Sequence, residues 1–508
     1  MPSLKGDRRR LDVNPLARLG EPHRRRTKIV ATVGPSTDDP AVLAELISAG
    51  VDCLRINFSH GAAEEREMRG RLIREVSAKV GRDVGIMGDL QGPKIRIESF
   101  EHGEVMLETG AEFTLDTDMD PTGGNIDAVG VAYKSLHQDV TAGDFLLLDD
   151  GLVLLEVVEI AGTKIVTKVA RGGSLKNKKG VNKQGGGLSA PALTSKDRED
   201  IVQAARLGLD FVAVSFARDA ADIEEARFLL RNAGSHAHVV AKIERAEAVE
   251  NINEIMNASD VIMVARGDLA VEVGYASMTG LQKGLIRLAR SKNKVSITAT
   301  QMLESMIHSA SPTRAEVSDV ANAVMDGSDA VMLSAETAVG SNPVEAVRTM
   351  AKVAIGAEKH EQFSRAANYR IDDIFNYVDE AIAMAAMYTA NHLEVKAIVA
   401  MTESGSTTLW MSRVRSGIPV FAFTRHESTR RRVTMYRGVY PVDFDVLAAG
   451  SSRRMYASVF ARLLRENAVE PGDRIIVTRG EFEGISGGTN TMQVLTVPEP
   501  GSDSDGDD

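Results

Sequence analysis

Four short hydrophobic runs between His238 and Thr337 each end in residues that can do chemistry. The runs are Val239–Glu244 (VVAKIE), Val261–Asp268 (VIMVARGD), Val295–Gln301 (VSITATQ) and Ala330–Glu336 (AVMLSAE). Helix-length polar and alanine-rich segments separate them, and this alternation predicts parallel strands joined by helices. In β/α barrels the active site lies at the C-terminal ends of the strands. The four run ends therefore predict a catalytic site.

Four further runs of the same kind occur earlier in the chain. They are Thr27–Ser36, Val51–Gly61, Val84–Gly92 and Phe211–Ala217. Eight strands are the number that closes a (β/α)₈ TIM barrel, so the predicted fold class is α/β. Right-handed crossovers would place all eight C-terminal strand ends on one face.

The alternation of strands and helices breaks between the third and fourth strands. Residues 94–190 are glycine-rich and contain short alternating runs, which predict an inserted all-β domain with antiparallel strands. A domain in this position would act as a hinged lid that excludes water from the site. The alternative is a decorative insertion on the barrel rim.

The remaining segments complete the predicted domain organisation. The barrel would comprise residues 27–93 and 191–365, and five more strand-like runs in 366–498 predict a C-terminal α/β domain with an open sheet. Residues 1–26 are arginine-rich and predict a flexible, solvated arm. Residues 499–508 are acidic and predict a disordered tail.

Composition excludes several classes of protein. A net charge of −11 argues against a general nucleic-acid binder. The single cysteine, Cys53, excludes an intramolecular disulfide, fits a reducing compartment, and is expected to be a small buried hydrophobe. The sequence has no apolar run of about 18 residues and no secretory h-region. We therefore expect a cytoplasmic protein with no membrane or nucleic-acid partner.

The residues at the strand ends suit an anionic substrate that is bound through a metal. Alternation along a strand points Lys242 and Glu244 the same way. Glu244 and Asp268 supply hard oxygen ligands for Mg²⁺ or Mn²⁺. Lys242 and Arg55 can neutralise phosphoryl or carboxylate charge.

Two further residues fit an anion site, although each motif taken alone has a simpler explanation. Gly267 would let an anion approach the backbone closely, and Thr300 could orient a water or bind a carboxylate. Alone, Lys242 and Glu244 would be a strand-end salt bridge, and the RGD sequence a turn. His60 is expected to be a local hydrogen-bonding residue rather than a base.

Long motifs in the chain resemble those of the pyruvate kinase family over about residues 27–497. The most specific are TATQMLESMI and MLSAETAVG, and they occur in order with TKIVATVGPS, LRINFSHG, GDLQGPKIR, VARGDLAVEV and the KKGVN stretch. The resemblance implies phosphoryl transfer from phosphoenolpyruvate to ADP, which gives pyruvate and ATP. It also implies a divalent metal and a homotetramer.

The resemblance assigns roles to the strand-end residues. Glu244 and Asp268 would bind the metal, and Lys242 would stabilise the transferring phosphoryl group and the enolate. Thr300 would hold the substrate carboxylate, helped by the backbone N–H groups of Gly267 and Asp268. These roles agree with the chemistry of the residue types, because phosphoryl transfer needs positioning and charge more than covalent catalysis.

Other roles implied by the resemblance come from more distant segments. Arg55 and Arg96 would contact phosphate groups, while Ser334 and Glu336 would support a proton-delivering water network. The implied nucleotide-binding residues are Arg55, Asn57, His60 and Lys179.

The chain departs from the family pattern at the monovalent-cation site. Many members bind a catalytic potassium ion there, and the matching positions here are Asn57, Ser59, Asp89 and Leu90, with Lys94 at a nearby glutamate position. Leu90 replaces a threonine, and the ammonium of Lys94 could supply the charge of the missing ion. We therefore predict activity without potassium.

Two other features leave alternatives open. Ala270 stands where glycine is usual, so a catalytically silent regulatory relative is conceivable, as is a pyruvate-type aldolase or lyase that shares Glu244 and Asp268. The loop Thr402–Thr408 (TESGSTT) resembles an effector phosphate pocket, with Thr402, Ser404, Gly405, Ser406 and Thr407 as its residues. The effector would be AMP or a sugar phosphate. A simple helix N-cap is the alternative.

Overall fold

A computed structural model describes residues 25–361, 374–446, 448, 451–481 and 487–499. Residues 1–24 and 500–508, which hold most of the predicted arm and tail, lie outside the described residues. So does the predicted boundary between residues 365 and 366.

The chain begins with three strands and two helices whose ends are set by local sequence. They are β1 (Lys28–Thr32), α1 (Pro40–Ser48), β2 (Cys53–Asn57), α2 (Ala63–Val80) and β3 (Gly85–Asp89). Helix α1 begins after Asp39, whose carboxylate accepts the Ala41 N–H, and it has a proline at its first position. Helix α2 ends at Gly81, where φ of 72° favours glycine.

An inserted β-sheet domain follows β3. Its elements are β4 (Glu104–Leu107), β5 (Glu112–Asp116), β6 (Ala128–Gly130), α3 (Leu136–Asp139), β7 (Phe145–Leu148), β8 (Val153–Ala161), β9 (Lys164–Arg171), β10 (Gly173–Lys176) and β11 (Val181–Lys183). Six strands form one sheet in the order β11-β7-β8-β9-β5-β6, and β4 pairs with β10. Only the β5–β6 pair among these is parallel. The domain has its own hydrophobic core, whose buried members lie between Ile95 and Ala190.

The chain then returns to the barrel. Its strands here are β12 (Phe211–Val214), β13 (His238–Ile243), β14 (Val261–Ala265), β15 (Val295–Ala299) and β16 (Ala330–Leu333). The helices are α4 (Ser195–Arg206), α5 (Ala220–Asn232), α6 (Ala246–Glu250), α7 (Ile252–Ala258), α8 (Arg266–Val273), α9 (Tyr275–Ser291), α10 (Arg314–Asp326), α11 (Ala335–Ala338) and α12 (Pro343–Glu361). Eight parallel strands close in the order β1-β16-β15-β14-β13-β12-β3-β2. The predicted TIM barrel is confirmed.

Successive side chains of a strand point to opposite faces of the sheet, so alternate residues of the barrel strands pack in different hydrophobic clusters. Val30, Met87 and Met263 pack in one cluster, whereas Ile29 and Ile86 pack in another with the surrounding helices. Cys53 belongs to the first cluster and is fully buried, in agreement with its predicted role as a small hydrophobe.

The C-terminal domain is an open five-stranded sheet, as predicted. Its elements are α13 (Val378–His392), β17 (Ala397–Met401), α14 (Ser406–Ser412), β18 (Val420–Thr424), α15 (Glu427–Val433), β19 (Val439–Asp443), α16 (Ser452–Arg465), β20 (Arg474–Gly480) and β21 (Thr489–Thr496). The strand order is β19-β18-β17-β20-β21, with the last strand antiparallel. No described helix in any domain is both long and apolar enough to cross a membrane.

The prediction of a solvated arm up to residue 26 is wrong for Arg25 and Arg26. Arg25 pairs with Asp52 at 2.8 Å. Arg26 is only 7% exposed; its backbone N–H donates to Glu358 and its guanidinium to the Ser416 carbonyl. Arg25 is held by barrel residues, whereas Arg26 lies where the barrel and the C-terminal domain meet, and no local sequence pattern indicates either contact.

Candidate active site

Lys242 lies at the centre of the polar cluster at the barrel's strand ends. Its Nζ is 3.0 Å from Glu244 Oε1 and 3.3 Å from Asp89 Oδ1, and it donates to Ser215 Oγ at 2.7 Å. The contact with Glu244 follows from the predicted alternation along β13. The lysine side chain is 12% exposed, so its charge is held in a largely desolvated site.

The cluster shifts the pKa values of its members in different directions. Burial would lower the pKa of Lys242, but the Asp89 and Glu244 carboxylates outweigh it and hold that pKa above its usual value. Burial raises the pKa of Glu244, with repulsion from Asp268 adding to the effect against the attraction of Lys242. The two carboxylates are therefore close enough to repel each other, and a divalent cation between them would offset that repulsion.

Asp268 lies slightly beyond the strand tip where the sequence places it. Strand β14 ends at Ala265, and Asp268 lies in the first turn of α8. Strands β13 and β14 are neighbours, which brings Asp268 near Glu244. The Lys94 ammonium is 3.1 Å from Asp268 Oδ1.

The carboxylates present fit magnesium or manganese. Among the described residues no group of three or more His, Cys, Asp or Glu side chains is arranged to hold a metal. Magnesium commonly takes one or two protein carboxylates and completes its shell with water and substrate oxygens. Glu244 and Asp268 match that pattern.

The backbone at Thr300 is held in a conformation that few residues adopt. Its φ is +67°, in the left-handed region. Arg266 donates to the Thr300 carbonyl at 2.6 Å and to that of Ala299 at 3.1 Å, and it pairs with Asp319. Thr300 Oγ1 accepts the Gly267 N–H at 2.9 Å. The predicted carboxylate-binding residues are thus adjacent, and Arg266 fixes their geometry.

Gly267 is not required by the packing of the protein. A Cβ added there would meet nothing closer than Thr300 Oγ1 at 3.8 Å, which is an ordinary contact. The small residue leaves room beside the backbone, as the sequence predicted for an approaching anion.

The early strands complete the cluster. Arg55 Nε donates to Asp89 at 2.6 Å, and its Nη1 donates to Thr32 Oγ1 at 3.0 Å. In the predicted monovalent-cation region, Asn57 Oδ1 accepts the Ser59 N–H at 3.0 Å. Leu90 is 1% exposed and belongs to the hydrophobic core.

The predicted proton-relay residues organise two loops. Glu336 is 3% exposed, and its carboxylate accepts the backbone N–H groups of Ser334 at 2.7 Å and Leu303 at 3.2 Å. It thereby ties the loop after Thr300 to the end of β16.

The remaining predicted nucleotide and phosphate residues have contacts outside this cluster. Lys179 pairs with Asp149 at 2.8 Å, and Arg96 donates to the Lys178 carbonyl at 2.9 Å. Both contacts lie within residues 94–190. His60 is exposed on the loop after β2.

Two residues of the site were missed by the sequence analysis. Ser215 accepts a hydrogen bond from Lys242 and donates to the Leu90 carbonyl at 2.7 Å. It follows β12, so the strand-end rule could have found it. Arg266 belongs to the RGD sequence, whose simpler explanation was a turn, and its role depends on contacts that only the tertiary structure makes.

The predicted effector loop lines a cleft in the C-terminal domain. Thr402, Ser406 and Thr407 face this cleft together with Arg425 and Arg479. Two local hydrogen bonds shape the loop, from the Gly405 N–H to Thr402 Oγ1 and from Ser404 Oγ to Ser406 Oγ. The N-cap position of α14 is Gly405, and the Ser406 N–H donates to Ser404 Oγ at 3.4 Å, so capping of the helix start stays an alternative to an effector pocket.

Glu272, in α8, carries a testable pH dependence. Burial raises its pKa to about 7. In the unfolded state the pKa of a glutamate is about 4.5. A carboxyl whose pKa is higher in the native state contributes stability below pH 4.5, and that contribution is lost as the pH rises through 7. We expect Glu272→Gln to raise the free energy of unfolding at pH 8 by at most about 3 kcal/mol and to have little effect at pH 4.5. Urea unfolding at both pH values would measure this.

The matched control for that experiment is Glu254→Gln, because Glu254 is exposed on α7. It should leave the urea midpoint unchanged at both pH values. A Glu272→Gln protein that is less stable than the parent at pH 8 would contradict the prediction.

Comparison with known proteins identifies the family to which this barrel and its polar cluster at the strand ends belong. Residues 24–347 match the pyruvate kinase barrel domain, and residues 380–495 match the pyruvate kinase alpha/beta domain. The chain belongs to the pyruvate kinase family. It is therefore a phosphotransferase of glycolysis, with phosphoenolpyruvate and ADP as substrates and pyruvate and ATP as products. Neither a lyase nor a non-enzymatic relative fits these matches.

Individual pyruvate kinases are similar along nearly their whole length. Pyruvate kinase II of Salmonella typhimurium is 53% identical over 478 residues, which cover 93% of this chain and 99% of that protein. The pyruvate kinase of Haemophilus influenzae is 50% identical over 480 residues, with the same coverage. A crystal structure of a pyruvate kinase from Cryptosporidium parvum superimposes with a TM-score of 0.86 at 34% identity, covering 93% of this chain and 96% of that one.

Proposed function

We propose that this pyruvate kinase is divalent-metal dependent and that its chemistry takes place around Lys242 at the strand ends. The observation that carries the proposal is the convergence of two lysines and three carboxylates there, all of them buried or only partly exposed. Lys242 contacts Glu244 and Asp89, while Lys94 contacts Asp268. Arranged charges of this kind, shielded from water, stabilise charge that develops during phosphoryl transfer.

Glu244 and Asp268 would hold Mg²⁺ or Mn²⁺. When bound, the ion supplies a Lewis acid for substrate oxygens and neutralises phosphoryl charge. Lys242 then stabilises the phosphoryl group and the enolate, because its raised pKa keeps it charged at neutral pH. Asp89 holds Arg55 in place to contact the phosphate.

The substrate carboxylate would bind at Thr300 and the N–H groups of Gly267 and Asp268. The Gly267 N–H now donates to Thr300 Oγ1, so both groups already converge on one point. Ser334 and Glu336 would support the water network that protonates the enolate.

The inserted domain would act as a lid that brings the nucleotide-binding groups over the barrel. Lys179 would bind the nucleotide from the lid side, and Arg55, Asn57 and His60 from the barrel side, while Arg96 would contact a phosphate group. Closure would exclude water, which would otherwise compete for the phosphoryl group.

Regulation and assembly are also proposed. The cleft beside Thr402, Ser406 and Thr407 would bind the phosphate of AMP or of a sugar phosphate, since hydroxyl groups and two arginines suit such an anion. A homotetramer and a cytoplasmic location stay predictions.

An assay that couples pyruvate formation to lactate dehydrogenase tests the metal requirement. Phosphoenolpyruvate and ADP should give turnover with Mg²⁺ or Mn²⁺, and EDTA should abolish it reversibly. Asp268→Asn should raise the Mg²⁺ concentration needed for half-maximal activity by at least about tenfold, because one charged ligand is lost. Glu254→Gln, at an exposed position of α7 outside the proposed site, is the control for a lost carboxylate.

Full activity in excess EDTA would overturn the metal proposal. An unchanged metal requirement in Asp268→Asn would overturn the assignment of that ligand.

A further inference from the structure

The inserted domain rejoins the barrel against residues that closely follow the two proposed metal ligands. The return segment comprises the end of β11 and residues 184–188. The Gly185 N–H donates to the Glu272 carbonyl at 3.2 Å, and Arg245 donates to the Leu188 carbonyl at 2.5 Å. The Gly187 N–H donates to the Glu247 carboxylate. These partners belong to α8, which contains Asp268, and to the segment that begins directly after Glu244.

The side chain of Glu272 joins three elements. Its Oε2 accepts the Ala246 N–H at 2.9 Å at the start of α6. Its Oε1 is 3.5 Å from the amide nitrogen of Asn182 in β11. Glu272 itself lies one helical turn after Asp268 and is 4% exposed. A single buried carboxylate therefore connects the inserted domain to the helix of one ligand and to the segment that follows the other.

The return segment fits closely against these partners. Gly186 has φ of +79°, and a Cβ there would lie 2.6 Å from Glu247 Oε2. The charged groups around Glu272 are Arg245, Glu247, Lys94 and Asp268. Such packing leaves the segment little freedom to shift unless Glu272 and Glu247 shift with it.

The bond to Ala246 does not require a carboxylate at position 272. A glutamine oxygen could accept the same N–H without a charge to bury, and burial of the carboxylate raises its pKa to about 7. The position of Glu272 between the inserted domain and the two ligand-bearing segments is what suggests a functional role.

We propose that Glu272 is a positioning residue that holds the lid's return segment in register with the metal-binding helix. It does not touch substrate; it acts through Asn182 on the lid side and through α8 on the Asp268 side. This inference rests on the proposed function. Because ADP would bind between the lid and the barrel, losing this link should weaken ADP binding more than phosphoenolpyruvate binding.

The test compares Glu272→Ala and Glu272→Gln with the parent enzyme at saturating Mg²⁺. We expect KM for ADP to rise about tenfold in the alanine variant, the effect of losing one hydrogen-bonded charged group, while KM for phosphoenolpyruvate stays within about twofold. The glutamine variant should show a smaller rise in KM for ADP, even though we expect it to be more stable than the parent at pH 8. Amide hydrogen exchange in residues 184–188 should be faster in both variants.

Glu254→Gln is again the matched control and should change none of these quantities. An unchanged KM for ADP in the alanine variant, or an equal rise in both KM values, would overturn the inference. If the alanine variant does not fold, the glutamine variant decides, because a purely structural role predicts normal kinetics once stability is retained. Full activity of the parent enzyme in excess EDTA would refute the proposed function instead, and hydrogen exchange would still test the link.

Discussion

Lys242→Met is expected to lower kcat by at least ~10³, which corresponds to about 4 kcal/mol of barrier. Lys242 contacts both Asp89 and Glu244, and its side chain is only 12% exposed. In such a site a charge stabilises a developing enolate and phosphoryl group far more than it would in water. Methionine keeps most of the side-chain volume and removes the charge. Steady-state kinetics in the coupled assay measures the loss.

The same substitution removes a cation that contacts two buried carboxylates, so stability needs its own measurement. Circular dichroism and a urea midpoint should show a folded protein, and added Mg²⁺ should raise that midpoint by neutralising Glu244. Lys79→Met, at an exposed position of α2, is the control and should retain full activity. A folded Lys242→Met enzyme with near-normal kcat would refute the role assigned to Lys242.

Lys94→Glu is expected to make the enzyme dependent on potassium. The parent should be equally active in sodium and potassium buffers, because the Lys94 ammonium, 3.1 Å from Asp268, already supplies a positive charge beside the proposed metal ligand. A glutamate there would put two carboxylates side by side and raise the free energy of the ionised pair. We expect about a 10²-fold loss of kcat in sodium, roughly 2.7 kcal/mol, with partial recovery in potassium.

Two further variants test why Lys94→Glu should lose activity in sodium and recover it in potassium. Lys94→Met removes the charge without adding a carboxylate and should lose less activity than Lys94→Glu. Adding Leu90→Thr to Lys94→Glu should increase the recovery in potassium, because a hydroxyl can then serve as a ligand. If potassium activated the parent enzyme strongly relative to sodium, the claim that the Lys94 ammonium replaces the potassium ion would be contradicted.

The barrel could be predicted because each strand carries its own signal. Buried parallel strands are short continuous runs of apolar residues, and those signals are local. The same is true of the alternation that brings Lys242 of β13 next to Glu244, the residue directly after that strand. Ser215 obeys the strand-end rule as well, and applying that rule to β12 would have identified it.

Other features depend on contacts between distant segments. Arg26 is buried between Glu358 of α12 and Ser416 of the C-terminal domain, and the prediction of a solvated arm was wrong there. The positive φ of Thr300 is held by Arg266, which itself pairs with Asp319. The pKa of Glu272 rises because of burial between the barrel and the inserted domain. None of these follows from composition or periodicity.

The sequence by itself determined the fold class, the family and the residue types at the strand ends, because hydrophobic period and motif order are properties of neighbouring residues. The tertiary structure alone decided which charges lie within 3–4 Å of one another and which are withdrawn from water. Electrostatic energy depends on those distances and on local polarity. The link between the lid and the metal-binding helix through Glu272 therefore became apparent only in three dimensions.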